Sequence, residues 1–316
     1  MILINVTMKF ASLLLLALSL FASFSPAQAA ESMFGYTYTT DTLPKGKFEL
    51  EQWITDKESQ AQGWYHHFDM STEIEYGVTD NFQIALYVNY HYLNASGNSV
   101  RGLTEGMEIP YDHNPGNPYS ALSFDGASME FLYRFFSPYT DAVGFAVYAE
   151  PEIGISEQGL ELRAIVQKNL WDDQLILAFN AWIEFDRERD SNLGADPGDA
   201  FVPVENWSNA TYAEFDLGAS YRVAASNWYV GLEFRNHNEF GGYDLSRADQ
   251  DHTAFFIGPN VHYANEHFFA TLTILRQIGA FGYNEDQTSQ IQNGLLYGDE
   301  HTAWDGIRLK IGFPFN

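Results

Sequence analysis

STEIEYGVTDNFQIALYVNYHY, residues Ser71–Tyr92, alternates between two kinds of side chain. Thr72, Ile74, Tyr76 and Val78 form one series; Ser71, Glu73, Glu75 and Gly77 form the other. After Thr79-Asp80-Asn81 the alternation resumes. Phe82, Ile84, Leu86, Val88, Tyr90 and Tyr92 then share one face, and Gln83, Ala85, Tyr87, Asn89 and His91 the opposite one. Successive side chains of a strand point to opposite faces, so this is a hairpin of two long strands and a tight turn. Either its apolar face turns inward to a core, or it turns outward to lipid with the glutamates facing a lumen.

The pattern recurs along the chain. Twelve alternating segments are expected, at Lys47–Thr55, Trp64–Val78, Phe82–Leu93, Ala127–Phe136, Ala142–Ile155, Leu160–Asn169, Gln174–Asp186, Thr211–Val223, Trp228–Asn238, His252–Tyr263, His267–Ile278 and Ala303–Phe315. Their links alternate in length. Thr79–Asn81, Ser137–Asp141, Trp171–Asp173, Ala224–Asn227 and Ala264–Glu266 are short; Asp56–Gly63, Leu93–Gly126, Arg187–Ala210, Glu239–Asp251 and Gly279–Thr302 are longer. Only Ser156–Gly159 interrupts the series. Short turns at one end and long loops at the other describe an all-β, up-and-down transmembrane barrel, with both termini on the periplasmic, short-turn side. Pro151 and Pro259 fall inside strands, where proline removes a ladder donor, so bulges or local breaks are expected there.

The N-terminus agrees. Lys9, an apolar run from Phe10 to Phe24 and Ala27-Gln28-Ala29 have the form of a secretory signal peptide cleaved after Ala29. Residues 30–46 are then a periplasmic lead-in or a partial strand, and 47–316 the barrel, in the outer membrane of a Gram-negative bacterium. Removing the signal takes away Lys9 and no acid, so the formal charge of −26 becomes −27. So acidic a chain excludes nucleic acid as a partner. With no cysteine, an exported protein must hold itself by backbone pairing and packing.

Aromatic residues flank the short turns: Tyr76, Phe82, Phe135, Tyr139, Trp171, Tyr221, Trp228, Tyr263, Phe268, Phe313 and Phe315. Amphipathic rings belong at a membrane interface, so these are expected to form a periplasmic girdle. The opposite face then lines the interior. Its expected residues are Glu49, Glu51, Glu73, Glu75, Gln83, Asn89, Glu130, Arg134, Glu150, Glu152, Glu161, Arg163, Asn180, Glu184, Glu214, Asp216, Arg222, Glu233, Arg235, Arg308 and Lys310. A dry core does not hold that many charges, so the lumen must be wet or netted by Arg–carboxylate pairs. About twelve strands lie between a filled eight-stranded barrel and an open porin. The acids therefore line a cation-favouring pore, or they form a structural network in a plugged barrel.

Motifs for chemistry are sparse. His66 and His67 point to opposite faces and make poor joint metal ligands. The Asp- and Gly-rich stretch Asp186–Asp199 lacks EF-hand spacing. No nucleophile elbow, zinc-protease motif or phosphate loop is present, and His113, His237, His252 and His301 lie near loop ends beside acids. No metal or cofactor is implied. The expected function is a passive channel for an unidentified small solute. The alternatives are a lipid- or lipopolysaccharide-modifying enzyme and a structural or adhesive barrel with a plugged lumen. Outer-membrane lipid, periplasmic chaperones and the barrel-assembly machinery are the expected partners.

Several segments carry a resemblance. Thr42-Leu43-Pro44-Lys45-Gly46-Lys47-Phe48-Glu49-Leu50-Glu51 resembles the opening of barrels in the family named for the MetA pathway of phenol degradation. Tyr148-Ala149-Glu150-Pro151-Glu152, followed by Glu161-Leu162 and Gln167-Lys168-Asn169-Leu170-Trp171-Asp172-Asp173-Gln174-Leu175, is similar to uncharacterised proteobacterial outer-membrane barrels. The final strand, Gly306–Asn316, resembles the C-terminal assembly signal of such barrels, with one Asn after Phe315. These resemblances imply a barrel in the outer membrane and a transporter-like role, and they carry over no catalytic residue.

Overall fold

A computed structural model describes residues 33–60, 63–98, 117–155, 157–190, 206–283 and 302–315. Its strands are β1 (Phe48–Glu58), β2 (Trp64–Thr79), β3 (Phe82–Ser96), β4 (Tyr119–Phe136), β5 (Gly144–Gly154), β6 (Glu157–Leu170), β7 (Leu175–Asp190), β8 (Asn206–Arg222), β9 (Trp228–Gly241), β10 (Gln250–Ala264), β11 (Phe269–Gly282) and β12 (Trp304–Phe315). Each pairs antiparallel with its sequence neighbours, and β1 pairs with β12 from Phe48↔Phe315 to Glu58↔Trp304. Closure pairs every described strand on both sides and leaves no edge strand among the described residues.

The two faces are inverted relative to a soluble protein. Ile74, Leu86, Val88, Leu162, Leu217 and Leu232 stand exposed on the outside, whereas Glu49, Glu73, Glu130 and Glu214 are buried within. The apolar series of the opening hairpin faces outward and its glutamates face the lumen. The aromatic residues at the short-turn end form a belt. Phe48 lies 4.6 Å from Tyr76 and 5.6 Å from Phe315 between ring centroids. Tyr263 joins Trp228 at 4.8 Å and Phe268 at 5.4 Å. On the other side Phe135 contacts Tyr133 at 4.8 Å and Phe145 at 5.8 Å, which adds three rings, Phe48, Tyr133 and Phe145, to those expected.

Several strands run further toward the long-loop end than the sequence suggests. β4 begins at Tyr119 rather than Ala127, β7 ends at Asp190 rather than Asp186, and β8 begins at Asn206 rather than Thr211. In β4 the cause is a bulge at Asp125: Asn89 pairs with Gly126 but Tyr90 with Phe124. The extra residue reverses the alternation, so Leu122 and Phe124 face outward out of phase with the strand below. Both prolines interrupt one ladder each. β4–β5 pairing stops between Phe131↔Ala149 and Ser128↔Glu152, around Pro151; β10–β11 pairing stops between Ile257↔Arg276 and Asn260↔Thr273, around Pro259. The β6–β7 turn holds Trp171, Asp172 and Asp173 at φ values of 57°, 55° and 60°. A two-stranded hairpin needs such left-handed residues to match its twist, and Asp tolerates the conformation.

Candidate functional site

Residues 33–47, which include the described part of the 30–46 expected as a periplasmic lead-in or partial strand, form no strand. The segment carries no β-ladder and lies inside the barrel, across its short-turn half. Met33, Phe34, Tyr36, Thr37, Thr40, Thr42 and Leu43 are buried there. Its backbone polar groups are met by side chains projecting from the wall, as a segment without a sheet partner requires.

Glu233 on β9 is the principal anchor. Its Oε1 accepts from the Gly35 N–H at 2.8 Å, and its Oε2 accepts from Tyr36 at 2.8 Å and Thr37 at 3.0 Å. The Thr273 hydroxyl on β11 donates to the same carboxylate at 2.6 Å. Asn180 on β7 accepts from the Tyr38 N–H at 2.7 Å and donates back to the Tyr38 carbonyl at 2.9 Å. Gln167 on β6 accepts from Thr40 N–H at 2.7 Å, and Gln83 on β3 from Leu43 N–H at 2.8 Å. Arginines hold the carbonyls: Arg308 reaches Gly35 at 3.1 Å, Arg163 reaches Tyr36 at 3.4 Å and Arg134 reaches Thr40 at 3.5 Å. Asn260 donates to the Met33 carbonyl at 3.3 Å. The wall thus grips the segment from β3, β4, β6, β7, β9, β10 and β12.

The aromatic side chains of the segment fill gaps in the wall. Phe34 packs with Ile176 and Ala178, and Tyr36 with Ala254, Phe256 and Leu275. The guanidinium of Arg308 lies 3.8 Å from the Tyr36 ring centroid, and that of Arg163 lies 4.4 Å from the Tyr38 ring. Such cation–π contacts are strongest where water is excluded. Two wall glycines make room: a Cβ at Gly218 would stand 2.7 Å from the Phe34 ring, and one at Gly306 would strike the Tyr36 hydroxyl. Gly218→Leu should therefore expel Phe34, whose burial contributes about 2–3 kcal/mol. The expected result is that residues 33–46 become cleavable by protease in the purified barrel while the barrel keeps its heat-modifiable migration; resistance equal to the parent would refute this fit.

All twenty-one expected lining residues lie on the inward series of their strands, but in the short-turn half they line a filled interior. Some form ion pairs. Arg235 Nε donates to Glu214 Oε2 at 2.9 Å and its second guanidinium nitrogen to Oε1, a bidentate pair. Arg163 Nε donates to Glu161 at 2.8 Å and its Nη1 lies 3.5 Å from Asp216. Others bind neutral donors. Tyr87 donates to Glu130 at 2.6 Å, Asn89 to Glu152 at 3.1 Å, and Ser128 and Tyr148 both to Glu150. Arg222 is a rim residue that donates to the Ser226 carbonyl at 2.8 Å. Glu184 faces Glu161 across the β6–β7 ladder.

Five of the inward acids stand on one wall, formed by β1, β2 and β4. Glu49 pairs directly with Glu75 and Glu51 with Glu73 across β1–β2, and Glu130 lies beyond them on β4. Lys310 on β12 is the cation beside them. Its Nζ lies 3.6 Å from the Trp53 ring, and the Trp53 indole N–H donates to Glu51 at 2.6 Å. A cavity of about 50 Å³ remains between this wall and the segment, lined in part by Thr37, Tyr38, Glu51, Glu75, Glu130 and Lys310. It has room for a few waters.

Gln167 and Asn260 bond the segment and Thr273 braces Glu233, and none of the three is in the expected lining set, whose neutral members are Gln83, Asn89 and Asn180. Gln167 falls on the inward series of β6 opposite Leu162, Ala164 and Val166, whereas Asn260 follows Ala254, Phe256 and Gly258 on β10 and has no such local mark. His66 and His67 do face opposite sides; His66 bonds Asp56 at 3.0 Å on the outside. His113, His301 and residues 191–199 of the Asp-rich stretch lie outside the described residues.

A family profile matches residues 26–315, nearly the whole chain. The chain belongs to a family of unknown function, DUF6662. No curated protein sequence matches it. An outer-membrane channel from Pseudomonas putida F1 superposes on it with a TM-score of 0.53 at 8% identity, over 87% of this chain and 97% of that one. The NanC porin gives a TM-score of 0.45 at 8% identity, over 85% and 99% of the two chains. At such identity the likeness to the Pseudomonas putida channel is one of fold alone.

Proposed function

We propose that this DUF6662 chain is an outer-membrane channel for small cationic or neutral polar solutes, closed from the periplasmic side by its own residues 33–46. The observation that carries the reading is the way the segment is held. From Met33 to Leu43 its backbone is held by wall side chains, and its backbone bond to a strand is that of the Gly46 N–H to the Gly77 carbonyl at its C-terminal end, so residues 33–43 can leave without breaking a ladder of the barrel. The carboxylates and amides it would uncover are hydrophilic and suit a hydrated passage. The short turns and the aromatic belt mark the periplasmic interface, and the outward apolar residues face lipid. Membership of the outer-membrane barrel type and the channel with the same fold support this location and role. No catalytic residue is assigned.

A reversible cross-link tests it. The chain has no cysteine. A Cβ placed at Gly144 on β5 would lie 2.6 Å from the Thr40 hydroxyl oxygen, within disulfide range once both positions are cysteine. Thr40→Cys/Gly144→Cys protein should be silent in planar bilayers when oxidised and should show discrete conductance steps after reduction. The dense packing of Phe34 and Leu43 favours a second reading, a permanently closed structural barrel. Silence in both redox states, and in a variant lacking residues 33–44, would establish that one.

A further inference from the structure

We infer that the lumen carries a transition-metal site on the long-loop side of the segment, formed by His237 and Glu239 on β9 and His252 on β10. The three residues face inward on adjacent strands. His252 is the direct register partner of Glu239, and His237 lies two residues along the same inner face. One ligand atom from each falls within 4.8 Å of the others, with His252 Nε2 at 3.6 Å from Glu239 Oε2. In a tetrahedral Zn2+ site with bonds of about 2.0–2.1 Å, ligand atoms stand about 3.3 Å apart. Small rotamer adjustments close that difference. Both imidazoles are buried while the Glu239 carboxylate is partly exposed, so an ion has a route in from the lumen.

The surroundings have the form that metal-binding histidines use. His237 Nδ1 lies 2.7 Å from Glu214 Oε1, and Glu214 is itself locked by the bidentate Arg235. A carboxylate on Nδ1 sets the tautomer and ring orientation, so the nitrogen left to coordinate is Nε2. The Tyr212 ring stacks on His237 at 5.6 Å and fixes its plane further. Two imidazoles and one carboxylate with an open fourth position suit Zn2+, Co2+ or Ni2+ and not the hard cations Ca2+ or Mg2+. A period-two reading of each strand separates these residues by loop and strand, which is why the sequence shows only scattered histidines near loop ends.

The test uses the untagged, full-length barrel in detergent, stripped with chelator and titrated with Zn2+ at neutral pH by calorimetry. One Zn2+ per chain is expected. Glu239→Gln and His252→Ala should each weaken binding by about ten-fold or more, as loss of a ligand requires at least the effect of losing a supporting group. Co2+ should give the visible absorption bands of a low-symmetry, nitrogen-bound ion, lost in His237→Ala. His66→Ala, which alters the separate outward group of Asp56, Glu58 and His66, should change nothing. Heat-modifiable migration reports that each variant is folded, and Glu239→Gln, nearly isosteric, covers the event that a histidine variant misfolds. Absence of Zn2+ binding in the parent, or affinity unchanged in folded Glu239→Gln and His252→Ala, overturns the site.

Discussion

Glu233→Ala should convert a mostly closed barrel into a mostly open one. The substitution deletes the acceptor of the Gly35, Tyr36 and Thr37 N–H groups and of the Thr273 hydroxyl. Hydrogen bonds to a charged group contribute about 1.5–3 kcal/mol each, and a buried donor left without a partner costs about 1–3 kcal/mol. Two such bonds alone shift the docked–undocked equilibrium by about 3 kcal/mol, a factor of more than about one hundred. The barrel ladders involve only backbone, so β9 keeps its pairing with β8 and β10. Single-channel recording should show a parent with rare openings and a variant open for most of the trace. Glu233→Gln should fall between, because one amide oxygen still accepts. A Glu233→Ala trace as quiet as the parent, from protein that is folded by heat modifiability, would refute the plug reading.

Once the segment is displaced, the conductance should prefer cations, and the preference should come from one wall. Glu49, Glu51, Glu73 and Glu75 face each other in two direct pairs, with Glu130 beyond and Lys310 as the cation beside them. A hydrated potassium ion about 4 Å from one carboxylate gains about 1 kcal/mol in water. That energy corresponds to about a five-fold change in relative occupancy. In a background lacking residues 33–44, Glu73→Gln/Glu75→Gln should lower the potassium-to-chloride permeability ratio by about this factor or more, read from the reversal potential in a salt gradient. Lys310→Gln should raise it. A reversal potential insensitive to these changes would place the ion path elsewhere.

The opening hairpin shows what was legible in the residues alone. Strand faces follow from alternation, and the residue-by-residue placement of Ile74, Leu86 and Val88 outside and Glu73, Glu75 and Gln83 inside needs no distant information. Turn positions are likewise local, and they fix the end at which Tyr76 and Phe82 sit. The bulge at Asp125 was less legible, since a single inserted residue shifts the phase and hides Tyr119–Phe124 from a strict period of two. The prolines were legible as irregularities, and the ladder gaps beside Pro151 and Pro259 are their structural form.

Residues 33–46 were not legible in this way. MFGYTYTTDTL, residues 33–43, alternates as a strand does, yet it forms none, because the barrel closes through β1 and β12 and offers it no edge. Its partners are side chains as remote as Glu233, 198 residues from Gly35, and their convergence depends on the curvature of all twelve strands. The same holds for Glu214, which joins Arg235 to His237 only because the β8–β9 register sets it opposite His237. Sequence by itself determined the barrel, the direction of each face and the polarity of the interior, since hydrophobic alternation and turn chemistry act between near neighbours. Only the tertiary structure decided what fills that interior, since a closed sheet brings inward side chains from every strand within reach of one short segment.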